Sequence, residues 1–330
     1  MSSGPGSVRR LAPVAAVLSA LACGSAGSDL GTGVTVRRTV SVGVFLDRDG
    51  SISITAADTV FAGARIALLP RIGNDTIRVL VSNSMGVANF TGIEPGQYRL
   101  GVTQSSIGDS IEVQELFGGD IEVQAALPDP EVLIRLGYPT YTIQEARALP
   151  PGIRLFVKGI VISGPQMFRD TTAYMRDGAG FIRLTRASVR NAIHSNPGDS
   201  VSALGRTALR AGQPTLDETI IAILALHPPP VEMSVTTEVA NHANVGALDA
   251  ALVIVSNAIV TDTATIGPDF RVLATDGTGT VAILFDEKLS IVKSEFGPGR
   301  SVNARGVLVP DGLGAWSLKP RASWDVGFNN

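Results

Sequence analysis

The chain has 330 residues, of which 45% are hydrophobic, 17% charged and 5% aromatic, and its formal charge is −3. That apolar share excludes a wholly disordered chain, and no apolar run comes near the ~20 residues of a membrane helix, which excludes a multi-span protein. One Cys and three His leave no material for a disulfide framework or a cysteine zinc site.

Arg9 and Arg10 precede the apolar stretch LAPVAAVLSALA, which ends at Cys23. A basic start, a short apolar core and small residues predict an export signal over residues 1–23. Ala20-Leu21-Ala22-Cys23 resembles a bacterial lipobox, with Leu21 one place closer to the Cys than in the commonest pattern. The resemblance implies lipid on Cys23 and a membrane-anchored protein at the cell envelope, in the periplasm or on the cell surface; plain secretion is the alternative. Residues 24–34, rich in Gly and Ser, read as a flexible tether.

From residue 35 to 127 the text is short β-type runs cut by turns: RRTVSVGVFLD, ARIALLP, TIRVLVSNS, GVANFTGI, GQYRLGVTQ and DIEVQAAL. Alternation through Tyr98-Arg99-Leu100-Gly101-Val102 suits a strand with one wet face. Closely spaced strands of this kind predict an all-β sandwich. The Gly43–Asp47 strand, the Ala62-Gly63-Ala64 and Ser82–Gly86 turns and Pro95-Gly96-Gln97-Tyr98 resemble the B-type repeats of Gram-positive adhesins and the carboxypeptidase regulatory-like fold. Both are prealbumin-like sandwiches. In the adhesin repeats, Asp-rich runs bind calcium, so the resemblance offers Asp47, Asp49 and Asp58 as a calcium site. Three carboxylates are few for a cation that wants six to eight oxygens, and Asp side chains also cap their own turns.

The remainder reads as one unit written twice. Asp177-Gly178-Ala179-Gly180 matches Asp276-Gly277-Thr278-Gly279, and Pro197–Val201 matches Pro298–Val302. Gly205 matches Gly306, and Gln213–Leu216 matches Ala315–Leu318. Each copy predicts five strands, with D-G-x-G and P-G as tight β turns. Five strands in about ninety residues suit an OB barrel, which closes its sheet on itself. The string also resembles the OB-type domains of exported bacterial proteins. The expected order is therefore a sandwich (35–127), barrel 1 (128–231), a linker (232–246) and barrel 2 (247–330).

Residues 138–231 carry 10 Arg/Lys against 6 Asp/Glu, a charge of +4, while 37–127 sum to −3 and 245–330 to −2. Alternation puts Arg154, Phe156 and Lys158 on one face of the first strand of barrel 1, with Phe181 and Arg183 on a later strand. An aromatic between cations is how single-stranded nucleic acid sites are built; a solvated outer face with Arg stems over apolar surface is the plainer reading. Phe168 and Tyr174 read as core or rim residues, and Trp316 and Trp324 as core anchors of barrel 2.

Gly108-Asp109-Ser110 and Gly198-Asp199-Ser200 look like a hydrolase nucleophile block, but none of the three His follows an Asp at the spacing that would activate a Ser. No P-loop, G-x-S-x-G, H-E-x-x-H or C-x-x-C occurs. The sequence thus predicts a non-enzymatic, exported, lipid-anchored binding or scaffold module, with a glycan or envelope-protein ligand and no cofactor beyond the calcium option. The alternative is an accessory protein that binds single-stranded nucleic acid or an anionic polymer through barrel 1.

Overall fold

The computed structural model describes residues 36–329 except 51–53, 118, 179, 191 and 193. The export signal, Cys23 and the tether lie outside the described residues. The fold is all-β: a sandwich followed by two five-stranded OB-type barrels.

The sandwich contains β1 (Arg38–Leu46), β2 (Thr59–Val60), β3 (Arg65–Pro70), β4 (Arg78–Val81), β5 (Val87–Ile93), β6 (Gly96–Val102), α1 (Gln104–Ile107), β7 (Glu112–Phe117), β8 (Asp120–Val123) and β9 (Glu131–Gly137). One sheet places β5, β1, β9 and β7 side by side with β2 on the end of β1, and the other runs β4-β3-β6-β8. Period-two spacing turns Val40, Val42 and Val44 inward against Ile66, Leu68, Phe90 and Ile134. The alternation read through Tyr98 and Leu100 holds, since both are buried while their neighbours are not. The expected boundary at residue 127 is corrected here. β9 pairs in parallel with β1 over Ser41↔Glu131 to Leu46↔Leu136, so the sandwich runs to about residue 137. Val132, Ile134 and Leu136 are the apolar set that draws it into the sandwich core.

Barrel 1 is built from β10 (Thr140–Tyr141), α2 (Ile143–Ala148), β11 (Arg154–Ser163), β12 (Ala173–Arg176), β13 (Phe181–Leu184), β14 (Ser188–Val189), β15 (Ser200–Arg210) and β16 (Gln213–Ala225). Barrel 2 repeats the plan with β17 (Met233–Ser234), α3 (Thr237–His242), β18 (Leu252–Ile266), β19 (Asp269–Thr275), β20 (Thr280–Phe285), β21 (Ser301–Pro310), β22 (Trp316–Lys319) and β23 (Val326–Asn329). In the first, β11-β12-β13-β16-β15 closes back on β11, with β13 and β16 parallel. In the second, β18-β19-β20-β22-β21 closes back on β18, with β20 and β22 parallel.

The segment 232–246 is not a linker. It holds β17 and α3, the counterparts of β10 and α2, and belongs to barrel 2. Both helices are shorter than an isolated helix can sustain, and the D-G-x-G turn explains how they persist. Asp177 Oδ2 accepts the backbone N–H of Ile143 at 2.7 Å, and Asp276 Oδ2 accepts that of Thr237 at 3.0 Å. The motif is therefore a clamp on the first turn of the helix as well as a hairpin turn. Its last Gly lets the helix approach: a Cβ on Gly279 would stand 3.0 Å from Glu238 Cα, and one on Gly180 would stand 3.3 Å from Ile143 Cγ2. Thr142 and Thr236 cap the two helices by accepting from Glu145 and Val239.

Arg37–Asn330 forms one compact unit. The barrels meet through a shared apolar seam: Ile162, Phe168 and Tyr174 from barrel 1 against Ala250, Leu252 and Val307 from barrel 2. Burial of Ile162, Phe168 and Leu252 contributes on the order of 2 kcal/mol each. Burial also pushes the Tyr174 hydroxyl well above its ordinary pKa. The buried Arg321 of barrel 2 donates to the Ile162 carbonyl at 3.0 Å while its remaining N–H groups hold Asp325. Phe168 and Tyr174 are thus core residues, as expected. Trp324 is 72% exposed, so it does not anchor barrel 2.

Candidate functional site

The five residues proposed for barrel 1 do not share one open face. Phe156 is buried beneath the sandwich: its ring lies 6.3 Å from that of Tyr138, and a Cβ on Gly50 would stand 2.7 Å from Phe156 Cε1. Arg154 lies over the Tyr138 ring at 5.1 Å. Arg183 faces Asp170 at 3.5 Å and donates to Gln213 at 3.4 Å. The strand alternation was read correctly, but β11 turns its outer face toward two neighbours. The sandwich covers one end, at Phe156, and barrel 2 covers the other, at Ile162.

Between those covered ends the outer face opens into a groove. Lys158, Ile160, Arg176 and Phe181 line a cavity of about 800 Å³ whose far wall includes Ala247 of barrel 2. Ile160 pairs with Arg176 and Arg176 with Phe181, so the three side chains form a row across β11, β12 and β13. Past Phe181 the groove continues through two smaller cavities, of about 300 and 330 Å³, which share Arg147, Gly246 and Asp249. The outermost is walled by equivalent hairpins, Ala211–Pro214 of barrel 1 and Pro310–Trp316 of barrel 2.

Asp249 sits at the centre of that groove and is 5% exposed. Its Oδ1 accepts from Gln213 Nε2 at 2.8 Å and Trp316 Nε1 at 3.0 Å, and its Oδ2 accepts from Arg147 Nη2 at 3.0 Å. Arg147 also donates to the Phe181 carbonyl at 3.0 Å. One carboxylate thus joins α2, both hairpins and β13. Sequence reading overlooked Asp249; the only sign was an acid set among apolar residues at the mouth of β18. Gln213 and Trp316 stood within the matched repeat segments but were not read as facing one another.

The three sandwich carboxylates do converge, with one oxygen of each within 4.8 Å of the others. Asp47 Oδ1 accepts the backbone N–H of Asp49 and of Gly50 at 2.9 and 2.7 Å, and Asp58 Oδ2 accepts that of Thr55 at 2.7 Å. Two guanidinium groups enter the same cluster. Arg135 lies 3.4 Å from Asp47 Oδ2, and Arg190 of barrel 1 pairs with Asp49 and donates to the Thr55 hydroxyl. Burial pushes the Asp47 carboxyl up, while the Gly50 N–H and the arginines pull it down. A calcium ion would need those same oxygens turned toward itself. Among the described residues these oxygens serve turn chemistry and an arginine bridge from barrel 1 to the sandwich.

Among known proteins, no family model and no curated sequence matches the chain. Solved structures overlap it weakly. A minor pilin of Streptococcus agalactiae is 14% identical over 33% of this chain and 48% of its own, about half its length, with a TM-score of 0.26. The major pilin subunit of Bacillus cereus is 8% identical over 86% and 92%, with a TM-score of 0.26. A murine DNA-binding protein bound to double-stranded DNA is 12% identical over 55% and 98%, with a TM-score of 0.29. At TM-scores under 0.5, none of these likenesses bears on function.

Proposed function

We propose that the chain is a non-catalytic binding or scaffold module, exported and held at the cell envelope by lipid on Cys23. The observation that supports it is how the groove carboxylates are engaged. Asp249 accepts three donors that join the barrels, and Asp177 accepts the first N–H of α2. Groups held this way position structure, whereas an acid–base catalyst must be within reach of a reacting proton. The lipobox-like end at Cys23 and the adhesin-like turns of the sandwich support the envelope location. Ligand binding falls to the groove, where Lys158 and Phe181 remain accessible in part. The nucleic-acid alternative loses support because Phe156 is buried and Arg183 is engaged by Asp170.

Fractionation of cells that express the full chain tests the anchor: Cys23→Ala moves the protein from the membrane pellet to the soluble exported fraction, and unchanged pelleting defeats the lipid claim. Incubation with envelope polysaccharide tests the absence of catalysis. New reducing ends produced by the wild type but not by Asp249→Asn would overturn it.

A further inference from the structure

We propose that the groove between the barrels binds an acidic oligosaccharide, with a sugar carboxylate seated between Lys158 and Arg176 and a sugar face laid on Phe181. The inference rests on the reading of the chain as a binding module and names its ligand class and site.

The groove is chemically graded along its length. At one end, Lys158 is exposed and Arg176 half-buried, two cations on a cavity wall that also carries Asp177, whose oxygens accept the backbone N–H groups of Ile143 and Gly180. Guanidinium groups bind planar carboxylates in bidentate fashion. Arg176 is the cross-strand partner of Phe181, so the ring lies beside the anion position. Its half-buried face offers the apolar surface that the C–H side of a pyranose covers. Toward the other end the wall changes to the Gln144 and Gln213 amides and the Trp316 indole around Asp249. The Gln144 amide suits a neutral hydroxyl; Asp249 already takes the Trp316 N–H and one from Gln213, so the half-buried indole offers its ring to a sugar face. The cavities, about 300 to 800 Å³ each, fall within the ordinary size of ligand pockets.

The same gradation argues against a nucleic acid. A single strand places a phosphate at every nucleotide and needs cations along the whole track. Among the described residues the only cation beyond Phe181 in the groove wall is Arg147, already held by Asp249 at 3.0 Å, and a phosphate there would meet that carboxylate. A chain with an anion at one end and hydroxyls after it fits better than one with an anion at every step.

Calorimetric titration of the full chain tests this, with a galacturonate hexamer, a galacturonate dimer, a neutral glucose hexamer and a twelve-nucleotide oligo(dT) as probes. The acidic hexamer is expected to bind tighter than its dimer and than the neutral hexamer. The double variant Lys158→Gln, Arg176→Gln should weaken it roughly tenfold or more, with an unchanged melting temperature. Phe181→Leu should weaken both acidic oligomers. Equal affinity of the double variant, preference for the neutral hexamer, tighter binding of oligo(dT) or no binding of any acidic oligomer would each overturn the site. The last result, together with an intact Cys23 anchor and no catalysis, removes the glycan site and leaves the module reading in place for a protein ligand.

Discussion

The two barrels share a skeleton and differ in their surroundings. Each closes the same ring, carries its short helix before the first long strand, and clamps that helix with the Asp of D-G-x-G. Their outer faces then part. Barrel 1 is covered by the sandwich at Phe156 and by barrel 2 at Ile162, whereas barrel 2 leaves Trp324 exposed. The repeated turns dictate the ring, because every copy must close its sheet. Position in the chain dictates which outer side chains become core, because only the middle unit has two neighbours.

The largest test of that contrast compares equivalent positions. Leu155 pairs with Gly205 and Val253 with Gly306, so Phe156 and Ile254 occupy the same place in the two rings. Phe156 is 3% exposed and Ile254 half-buried. Phe156→Ala should cost about 3–5 kcal/mol in denaturant unfolding and Ile254→Ala only about 1. Equal costs would mean that the sandwich does not seal barrel 1. Next comes Asp249→Ala, which leaves Arg147 without its acid and Gln213 and Trp316 without an acceptor. A loss of about 3 kcal/mol follows, and calorimetry should show one transition for the wild type and two for the variant as the barrels uncouple. A single transition with an unchanged midpoint would show that the seam at Ile162 and Phe168, with the Arg321–Ile162 bond, joins them without Asp249.

Most of the architecture was legible. Turn dipeptides and matched glycines gave away both rings because D-G, P-G and close-approach glycines have few other uses. β9 was missed because its partner β1 lies some ninety residues earlier, and no local pattern tells which sheet a strand enters. The site was legible only in part. Alternation placed Phe156 and Lys158 on the outer face correctly, but a strand pattern separates inside from outside of its own barrel and is silent about a neighbour resting on that outside. Asp249 escaped for the same reason: its three donors come from α2, β16 and β22, which only the packing of two barrels brings together.

A smaller effect separates the two helix clamps. The last Gly of each D-G-x-G faces the helix at different range, with Glu238 Cα 3.0 Å from a Cβ on Gly279 and Ile143 Cγ2 3.3 Å from one on Gly180. Backbone cannot yield as a side-chain methyl can. Gly279→Ala should therefore cost about 2 kcal/mol or more and Gly180→Ala about 1 or less. The reverse order in chemical denaturation would break the claim that both turns serve as helix seats.

The finest distinction is acid sensitivity at the clamp of barrel 2. Burial would raise the Asp276 carboxyl, but the Thr278 and Thr237 hydroxyls and backbone N–H groups outweigh it and hold it well below the usual carboxylate range. A carboxylate depressed in the folded state stabilises at pH values above its unfolded value, near 4, and that contribution is lost as pH falls through the folded value. Asp276→Asn keeps the shape but turns an NH2 toward donors that Asp276 accepts at 2.6 to 3.0 Å. It should cost about 1 kcal/mol at pH 7. Urea midpoints measured from pH 7 down to pH 2 should show the gap between wild type and variant narrowing on the acid side alone. A gap that stays constant to pH 2 would mean that the clamp works through shape and not through charge.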